Sequence, residues 1–360
     1  MVYQYKCPDC GADMSFDAST GMLHCESCGR TDHVDSHGKS SDAAAEESIH
    51  DYETFQDQTQ YATFENEEAV QYQCNNCGAV LLTSADTTAT TCSFCGAPMI
   101  LGDRLSGKLA PSYVIPFQIT KQQATDAFKK WCKNGRLTPK GFMSADRIKS
   151  LTGIYVPFWL YDLTGQGDTH ADCTISTVYE EGDYTVTKTN HYDVYRKVEV
   201  QYEKVPCDAS EKMDDTLMDR LEPYDYTNLK QFQAPYLAGF LAEKYNYTDT
   251  DLFPRITTRT TPFVEDYLRE TISGYDTVTL HHENINIQKK KAVYTLLPVW
   301  MICYDYDRAE HTFAMNGQTG KVVGTPPLSK GKIAAYFGGI TLVLFVLLRI
   351  ITILLGGDIL

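Results

Sequence analysis

The sequence predicts a multidomain protein with two small β zinc ribbons, a mixed α+β domain rich in antiparallel strands, and one C-terminal transmembrane helix. A cysteine pattern that occurs twice, alternating strand-like and helical patterns in the middle, and a long apolar run near the end support this prediction. The chain has 360 residues, of which 43% are hydrophobic and 22% charged, as in globular proteins. The predicted divisions are residues 1–30 (first ribbon), 31–69 (acidic flexible linker), 70–105 (second ribbon), 106–328 (α+β domain) and 329–360 (transmembrane tail anchor).

Eight of the twelve cysteines fall into two sets with the same spacing, C-x2-C-x14-C-x2-C. The first set is Cys7, Cys10, Cys25 and Cys28, and the second is Cys74, Cys77, Cys92 and Cys95. The sequence around the first set, from Tyr5, recurs 67 residues later from Tyr72, so one module occurs twice. Two C-x2-C turns supply four thiolates in a tetrahedron around a zinc ion, with Zn–S distances of about 2.3 Å. The sequence therefore predicts two structural Zn²⁺ ions, because four thiolates leave no coordination position open for catalysis.

A glycine follows the second cysteine of every pair, and we expect it to adopt positive φ there. The four remaining cysteines show no partner pattern and are interpreted as small core residues: Cys132, Cys173, Cys207 and Cys303. No apolar segment follows Met1, so the soluble part is expected in the cytosol with reduced thiols.

Charge is distributed unevenly along the chain. Residues 1–105 contain 17 acidic residues against four basic ones, a net charge of −13. Nucleic-acid binding depends on Lys and Arg at phosphates, so this composition disfavours it and favours contacts with protein partners. A membrane-tethered nucleic-acid-binding protein remains the alternative, and an enzyme with a site in residues 111–325 is a third hypothesis.

The middle of the chain alternates between strand and helix patterns. Predicted helices cover 121–133, 213–221, 229–244 and 262–272, and predicted strands include 175–179, 184–189, 293–297, 299–306 and 311–315. Tight turns are predicted at 181–183 and at Asn316-Gly317. Pro116, Pro157 and Pro298 each lie within an apolar run, which predicts edge strands or bulges.

No catalytic residue or cofactor-binding residue is predicted, and the chain is interpreted as non-enzymatic. The run Gly102–Leu109 resembles a P-loop but has Leu109 in place of the hydroxyl residue that holds Mg²⁺. His170 with its neighbouring aspartates, and the run 281–283, are interpreted as surface polar residues. Lys289–Lys291 is interpreted as a solvated turn.

Ile333 to Leu355 is a run of 23 residues interrupted only by Arg349. At 1.5 Å per residue it spans about 34 Å, enough for the bilayer core. Lys321, Lys330 and Lys332 precede the run, which predicts a single-pass cell-membrane protein whose large N-terminal part is cytoplasmic. Arg349 either extends to the outer headgroups or pairs with a second helix. Small residues spaced four apart at 334–339 favour an oligomer of transmembrane helices.

Several stretches resemble a family of bacterial membrane-anchored proteins known as TFIIB-type zinc-ribbon proteins, sometimes labelled replication-restart helicase PriA. They are residues 72–96, 115–117, 137–142, 153–159 (GIYVPFW), 297–300 and 316–321 (NGQTGK). The helicase label does not fit, because the chain lacks a complete P-loop. The resemblance implies SPFH-domain or phage-shock-protein-A-like partners at the membrane during envelope stress, and it transfers only the zinc cysteines.

Overall fold

The computed structural model describes residues 2–37, 70–74, 80–83, 86–92, 97–101, 110–134, 137–139, 151–306, 309–324 and 328–354. The predicted linker from residue 38 onwards, the P-loop-like run, Cys77 and Cys95 lie outside these residues. So do Gly78 and Gly96.

The first cysteine module covers residues 2–37. Its strands are β1 (Val2–Tyr3), β2 (Met14–Asp17), β3 (Met22–Cys25) and β4 (Thr31–Asp32). Strands β2, β3 and β4 form a small antiparallel sheet. Alternate residues of β2 and β3 are buried, which gives the module an apolar side: Met14, Phe16, Leu23 and Cys25. Strand β4 and a short 3-10 turn, Val34–Ser36, continue the module into the first residues of the predicted linker.

The second cysteine module covers the described parts of residues 70–101. Its strands are β5 (Val70–Gln73), β6 (Val80–Thr83), β7 (Thr87–Thr91) and β8 (Pro98–Leu101). Residues 67 positions apart in the two modules make the same pairings across their strands. Lys6 pairs with Asp13 in the first module, as Gln73 pairs with Val80 in the second. The pair Leu23 and Asp32 likewise corresponds to Thr90 and Met99.

The central domain contains the other described elements up to β16, and helix α4 follows it. In chain order these are β9 (Tyr113–Val114), α1 (Lys121–Asn134), β10 (Thr152–Glu181), β11 (Tyr184–Asp208), α2 (Asp215–Leu221), β12 (Lys230–Gln231), β13 (Leu241–Glu243), α3 (Phe253–Glu270), β14 (Thr277–Tyr306), β15 (Ala309–Asn316), β16 (Val322–Gly324) and α4 (Lys330–Leu354). Among the described residues one sheet joins eleven strands, with the path β1-β8-β7-β13-β10-β14-β15-β16 and with β11, β12 and β9 beside it. The pairs β10–β13 and β14–β9 are parallel and the others antiparallel, so the predicted mixed, strand-rich domain is confirmed.

Strands β10, β11 and β14 extend well beyond the core and form a three-stranded antiparallel arm, here called the long arm (residues 163–202 and 277–289). The predicted turn at 181–183 joins β10 to β11 at its tip. Helix α3 packs on the arm at Gly165 and Gly167. A Cβ atom on Gly165 would lie 2.5 Å from Cγ2 of Val264, so glycine permits this close contact.

Of the three prolines predicted to mark edge strands or bulges, Pro157 and Pro298 lie in strands inside the sheet, and Pro116 follows the end of β9. Pro157 pairs across to Leu296 on β14, and on its other side it occupies the gap between the partner strands β13 and β11. Its carbonyl oxygen faces that gap, where it accepts from the amide of Ala209 at 2.9 Å. Pro298 lies in the corresponding gap between β9 and β15. Each proline therefore places its donor-free nitrogen where no ladder hydrogen bond is required.

Three other predictions in this domain are wrong or displaced. The predicted helix at 229–244 consists of β12, a 3-10 turn (Ala234–Leu237) and β13, because β13 pairs with β10 and β7. Helix α3 begins at Phe253 and carries Pro262 in its interior. The run 289–291 lies within β14, where the register shift opposite Asp162 and Leu163 makes Lys290 a β-bulge.

The predicted helix at 121–133 is confirmed as α1. Ala124 and Phe128 are buried, and Ala127 and Trp131 pack against the core. Cys173 and Cys207 are also buried, as expected. The Asn316 turn is confirmed too, since Oδ1 of Asn316 accepts from the amides of Gln318 and Thr319, both at 2.9 Å.

Candidate metal centre and membrane segment

The first module brings its four cysteines together. The sulfur atoms of Cys7, Cys10, Cys25 and Cys28 all lie within 4.8 Å of one another. Two of the sulfur pairs, Cys7 with Cys28 and Cys10 with Cys25, are 3.5 Å apart. Cys7 and Cys25 are buried while Cys10 and Cys28 face solvent, so the group lies at the surface with one side covered. Such a group could hold a metal ion.

The two C-x2-C turns have the same backbone geometry. The amide of Cys7 donates to Ala12, and the amide of Cys25 donates to Arg30, at 2.7 and 2.8 Å. In each turn the glycine amide donates back to the first cysteine, and Gly11 and Gly29 have φ of 73° and 79°. The expectation of positive φ is therefore confirmed at these two glycines. These turns hold the four sulfurs close to one another.

The protonation of these thiols depends on their proximity. A hydrogen bond from the backbone of Cys28 holds the pKa of the Cys25 thiol at about 7. The amide of Arg30 acts on Cys28 in the same direction, but the sulfurs of Cys7 and Cys10 outweigh it and raise the pKa of Cys28 to about 12. A divalent cation would favour the thiolate form of all four side chains, which is the chemistry of a metal ligand set.

The second module has the same arrangement where it is described. Cys74 and Cys92 are both buried, in a cluster with Tyr72, Ala97 and Met99. The amide of Cys92 donates to the carbonyl of Ala97 at 2.8 Å, the bond that Cys7 and Cys25 make in the first module. The grouping of all four sulfurs remains a prediction here, because Cys77 and Cys95 are outside the described residues.

Both modules are attached to the central sheet, a relationship that the sequence did not predict. Strand β1 pairs with β8, and β7 pairs with β13. The first module also contacts the 3-10 turn at 234–237, where the ring of Phe16 lies edge-on to Tyr236 at 5.4 Å. The cysteine modules are therefore part of the main fold.

Helix α4 is the candidate membrane segment. Lys330–Ile351, 22 residues, is long and apolar enough to cross a membrane, and none of its most apolar part is buried in the protein. A buried core helix, the alternative for such a run, would be covered by other elements. The helix begins three residues before the predicted run.

A partly buried ion network was missed by sequence reasoning. Arg255 of α3 donates to Asp208 at 2.9 Å and to Asp219 at 2.8 Å. Arg259 joins Asp219 to Glu222. The Asp208 side chain is fully buried, and burial raises its pKa to about 6. The network connects the end of β11 to α2 and α3, and no local sequence pattern indicates a contact between residues this far apart.

The histidines considered as candidate chemistry lie on the exposed long arm. His170 contacts Asp193 at 3.2 Å, and His281 contacts Asp172 at 2.7 Å. All four side chains are more than half exposed. The structure thus supports the interpretation of His170 and His281 as surface polar residues.

The fold and the site together define a class of protein: a sheet-rich chain with an N-terminal four-cysteine group that could hold a metal ion and a C-terminal helix that could cross a membrane. The chain is 54% identical over 357 residues to the uncharacterized protein YdjG of Bacillus subtilis (strain 168), and the match covers 99% of each protein. It therefore belongs to the same family as YdjG. No protein-family model matches the chain. No solved structure matches it either.

Proposed function

We propose that this chain is a non-enzymatic scaffold, anchored in the cell membrane by α4, whose two zinc ribbons and central domain recruit cytosolic protein partners. One observation carries the proposal: the four-cysteine module is joined by strand pairing to the central domain, and the candidate membrane helix follows that domain in the same chain. An ion held at Cys7, Cys10, Cys25 and Cys28 would therefore stabilise a surface that the helix keeps at the membrane.

The sulfur geometry supports zinc in the first module. A tetrahedron with Zn–S bonds of about 2.3 Å has S···S edges of about 3.8 Å. The two measured S···S distances of 3.5 Å are close to this value, and none exceeds 4.8 Å. Four thiolates are a ligand set typical of structural zinc, which adds folding free energy and no open catalytic position. The repeated register and the Cys92 hydrogen bond support a second zinc ion in the second module.

Charge supports a protein partner in preference to nucleic acid. Around the first zinc group, Arg30 is already bound to Asp9 at 2.6 Å and to Asp32 at 2.9 Å. Lys6 is likewise bound to Asp13. Both basic side chains of this module are thus neutralised within it, which leaves little positive charge for phosphates.

The tail helix supports attachment to a membrane, with the large N-terminal part in the cytoplasm as the flanking lysines favour. Ala334, Ala335, Gly338 and Gly339 are exposed on α4. Small side chains of this kind let a second helix approach closely, so we include an oligomer of tail helices in the proposal. The resemblance to membrane-anchored TFIIB-type zinc-ribbon proteins supports partners of the SPFH or phage-shock-protein-A-like classes.

The decisive experiment is affinity purification of the full chain from detergent-solubilised membranes. Wild type is compared with a Cys7→Ser/Cys28→Ser variant and with Cys173→Ala as a matched control, since Cys173 is buried away from both modules. We expect an SPFH or phage-shock-protein-A-like partner with wild type and with the control, and its loss in the double variant. Equal recovery from all three would contradict the role of the ribbons. Salt-dependent retention of DNA or RNA by wild type would support the nucleic-acid alternative instead.

A further inference from the structure

Helix α1 has one apolar face and one basic end. Phe128 is fully buried, and the ring of Trp131 packs on Phe313 with centroids 5.2 Å apart. On the same last turns Lys130 is exposed, and the Lys129 side chain is 41% exposed. From Lys129 to Lys140 the sequence contains five basic residues and no acidic one, in a chain whose net charge is −15. Within the described part of the chain Lys129 has an acidic partner in Asp126, 3.9 Å away and 61% exposed, which contributes little to holding the lysine.

The chain just beyond α1 is hydrogen-bonded to the start of the tail helix. The amide of Ser329 donates to the carbonyl oxygen of Leu137 at 2.8 Å. The ammonium group of Lys332 donates to the carbonyl oxygen of Thr138 at 2.7 Å. Trp131 lies against Gly324, the last residue of β16, where an added Cβ would be 3.1 Å from Cζ2 of the tryptophan. The segment just beyond α1 therefore lies beside the first turn of α4, and the last turns of α1 lie beside the end of β16.

This arrangement limits the distance between the lysines and a bilayer that contains α4. Leu137 lies three residue steps after Asn134, and Asn134 lies four helical steps after Lys130. The Cα atom of Lys130 therefore lies no more than about 17 Å from Leu137, at the level where the apolar part of α4 begins. The lipid headgroup layer extends about 5–7 Å from the apolar core, and charges in physiological salt still interact over about 8 Å. With the length of the lysine side chain added, the ammonium groups can therefore reach the electrostatic range of the lipid phosphates.

We propose that Lys129, Lys130 and Lys330, here called the juxtamembrane lysines, bind the phosphate groups of anionic lipids in the membrane that holds α4. This inference rests on the proposed membrane anchoring. Lysine ammonium groups bind phosphates as point charges, so the recognition is of negative surface charge and not of one headgroup.

The test uses the full chain in nanodiscs of two compositions, phosphatidylcholine alone and phosphatidylcholine with one third phosphatidylglycerol. Amide hydrogen exchange is followed in peptides that cover 121–134. We expect exchange there to slow on the order of threefold in the anionic discs, because lipid contact opposes local opening of the helix. The difference should disappear at about 1 M salt, where screening extends over only about 3 Å.

Two double variants separate lipid contact from other effects of charge. Lys129→Gln/Lys130→Gln should lose the difference between the two discs. Lys188→Gln/Lys197→Gln removes the same charge from exposed positions on the long arm and should retain it. A merely structural role for the α1 lysines would change exchange equally in both discs, and that result would overturn the proposal.

The failures of the two proposals are distinguishable. Failure of the chain to insert into either disc would overturn the membrane anchoring, and with it this inference. Insertion with equal exchange of 121–134 in both lipids would overturn only the lipid contact.

Discussion

The backbone amide of Phe16 donates to the carbonyl oxygen of Ala238 at 2.9 Å, and this bond joins the first cysteine module to the central domain. The side-chain amide of Gln233 makes a second link by donating to the carboxylate of Asp35 at 3.1 Å. Strand β1 adds a third link through the second module. Loss of the metal should therefore affect the packing of the central domain as well as the cysteine turns.

Substitution of Phe16 by alanine tests this attachment. Phe16 is 5% exposed and contacts Tyr236 and Phe240, so Phe16→Ala should lower the free energy of unfolding by about 3–5 kcal/mol. Zinc content should stay unchanged, because Phe16 is not a ligand. Thermal unfolding in detergent and metal analysis measure the two effects. Phe263→Ala, at a residue that is 61% exposed, is the control and should leave both unchanged.

The parts of the fold that the sequence predicted are those with local causes. The cysteine turns follow from spacing and from the glycines, and α1 follows from the spacing of Ala124, Phe128 and Trp131 on one face. No sequence pattern indicates how far the strands of the long arm extend. Most of the outer residues of the arm, such as those around Lys188, are polar on both faces, so they lack the alternation that marks a half-buried strand. The prediction of a helix at 229–244 was wrong because part of this segment forms strand β13, which pairs with strands far away in sequence.

The contact between α3 and the long arm gives a prediction about Gly165. Gly165→Ala would place a methyl group 2.5 Å from Val264 and should lower the free energy of unfolding by about 1–3 kcal/mol. Val264→Ala should cost stability by itself, yet the double variant should lose less than the sum of the two, because the smaller side chain makes room for the methyl group. Gly331→Ala, where nothing lies within 4 Å, is the control. Additive losses in the double variant would contradict the close contact.

The raised pKa of Asp208 predicts that the stability of the protein depends on pH. Burial raises its pKa to about 6, above the usual value of 3.8, so the folded chain binds more protons than the unfolded chain between about pH 4 and 6. Its contribution to stability is present in full below pH 4 and is lost as pH rises through 6. The loss is on the order of 3 kcal/mol.

The comparison is between wild type and Asp208→Asn, which does not titrate. The free energy of unfolding of the variant, relative to wild type, should rise from pH 3.5 to pH 7. Denaturant titrations at several pH values measure this difference. A difference that stays flat or falls over this range would show that the carboxyl group is not raised in pKa.

Removal of the tail helix tests the membrane assignment. A chain ending at Gly324 should move from the carbonate-washed membrane fraction to the soluble fraction, because α4 is the described segment able to span a bilayer. Arg349→Leu, which keeps the helix apolar, should remain in the membrane fraction. Recovery of the truncated chain in washed membranes would mean that another part of the protein holds it there.

Zinc content of the purified full chain tests the central claim most directly. We predict two zinc ions per chain, one after Cys7→Ser/Cys28→Ser, one after Cys92→Ser/Cys95→Ser and none when the four substitutions are combined, while Cys173→Ala keeps both ions. Wild-type protein without zinc, or zinc retained after all four substitutions, would contradict the account of two closed four-cysteine sites.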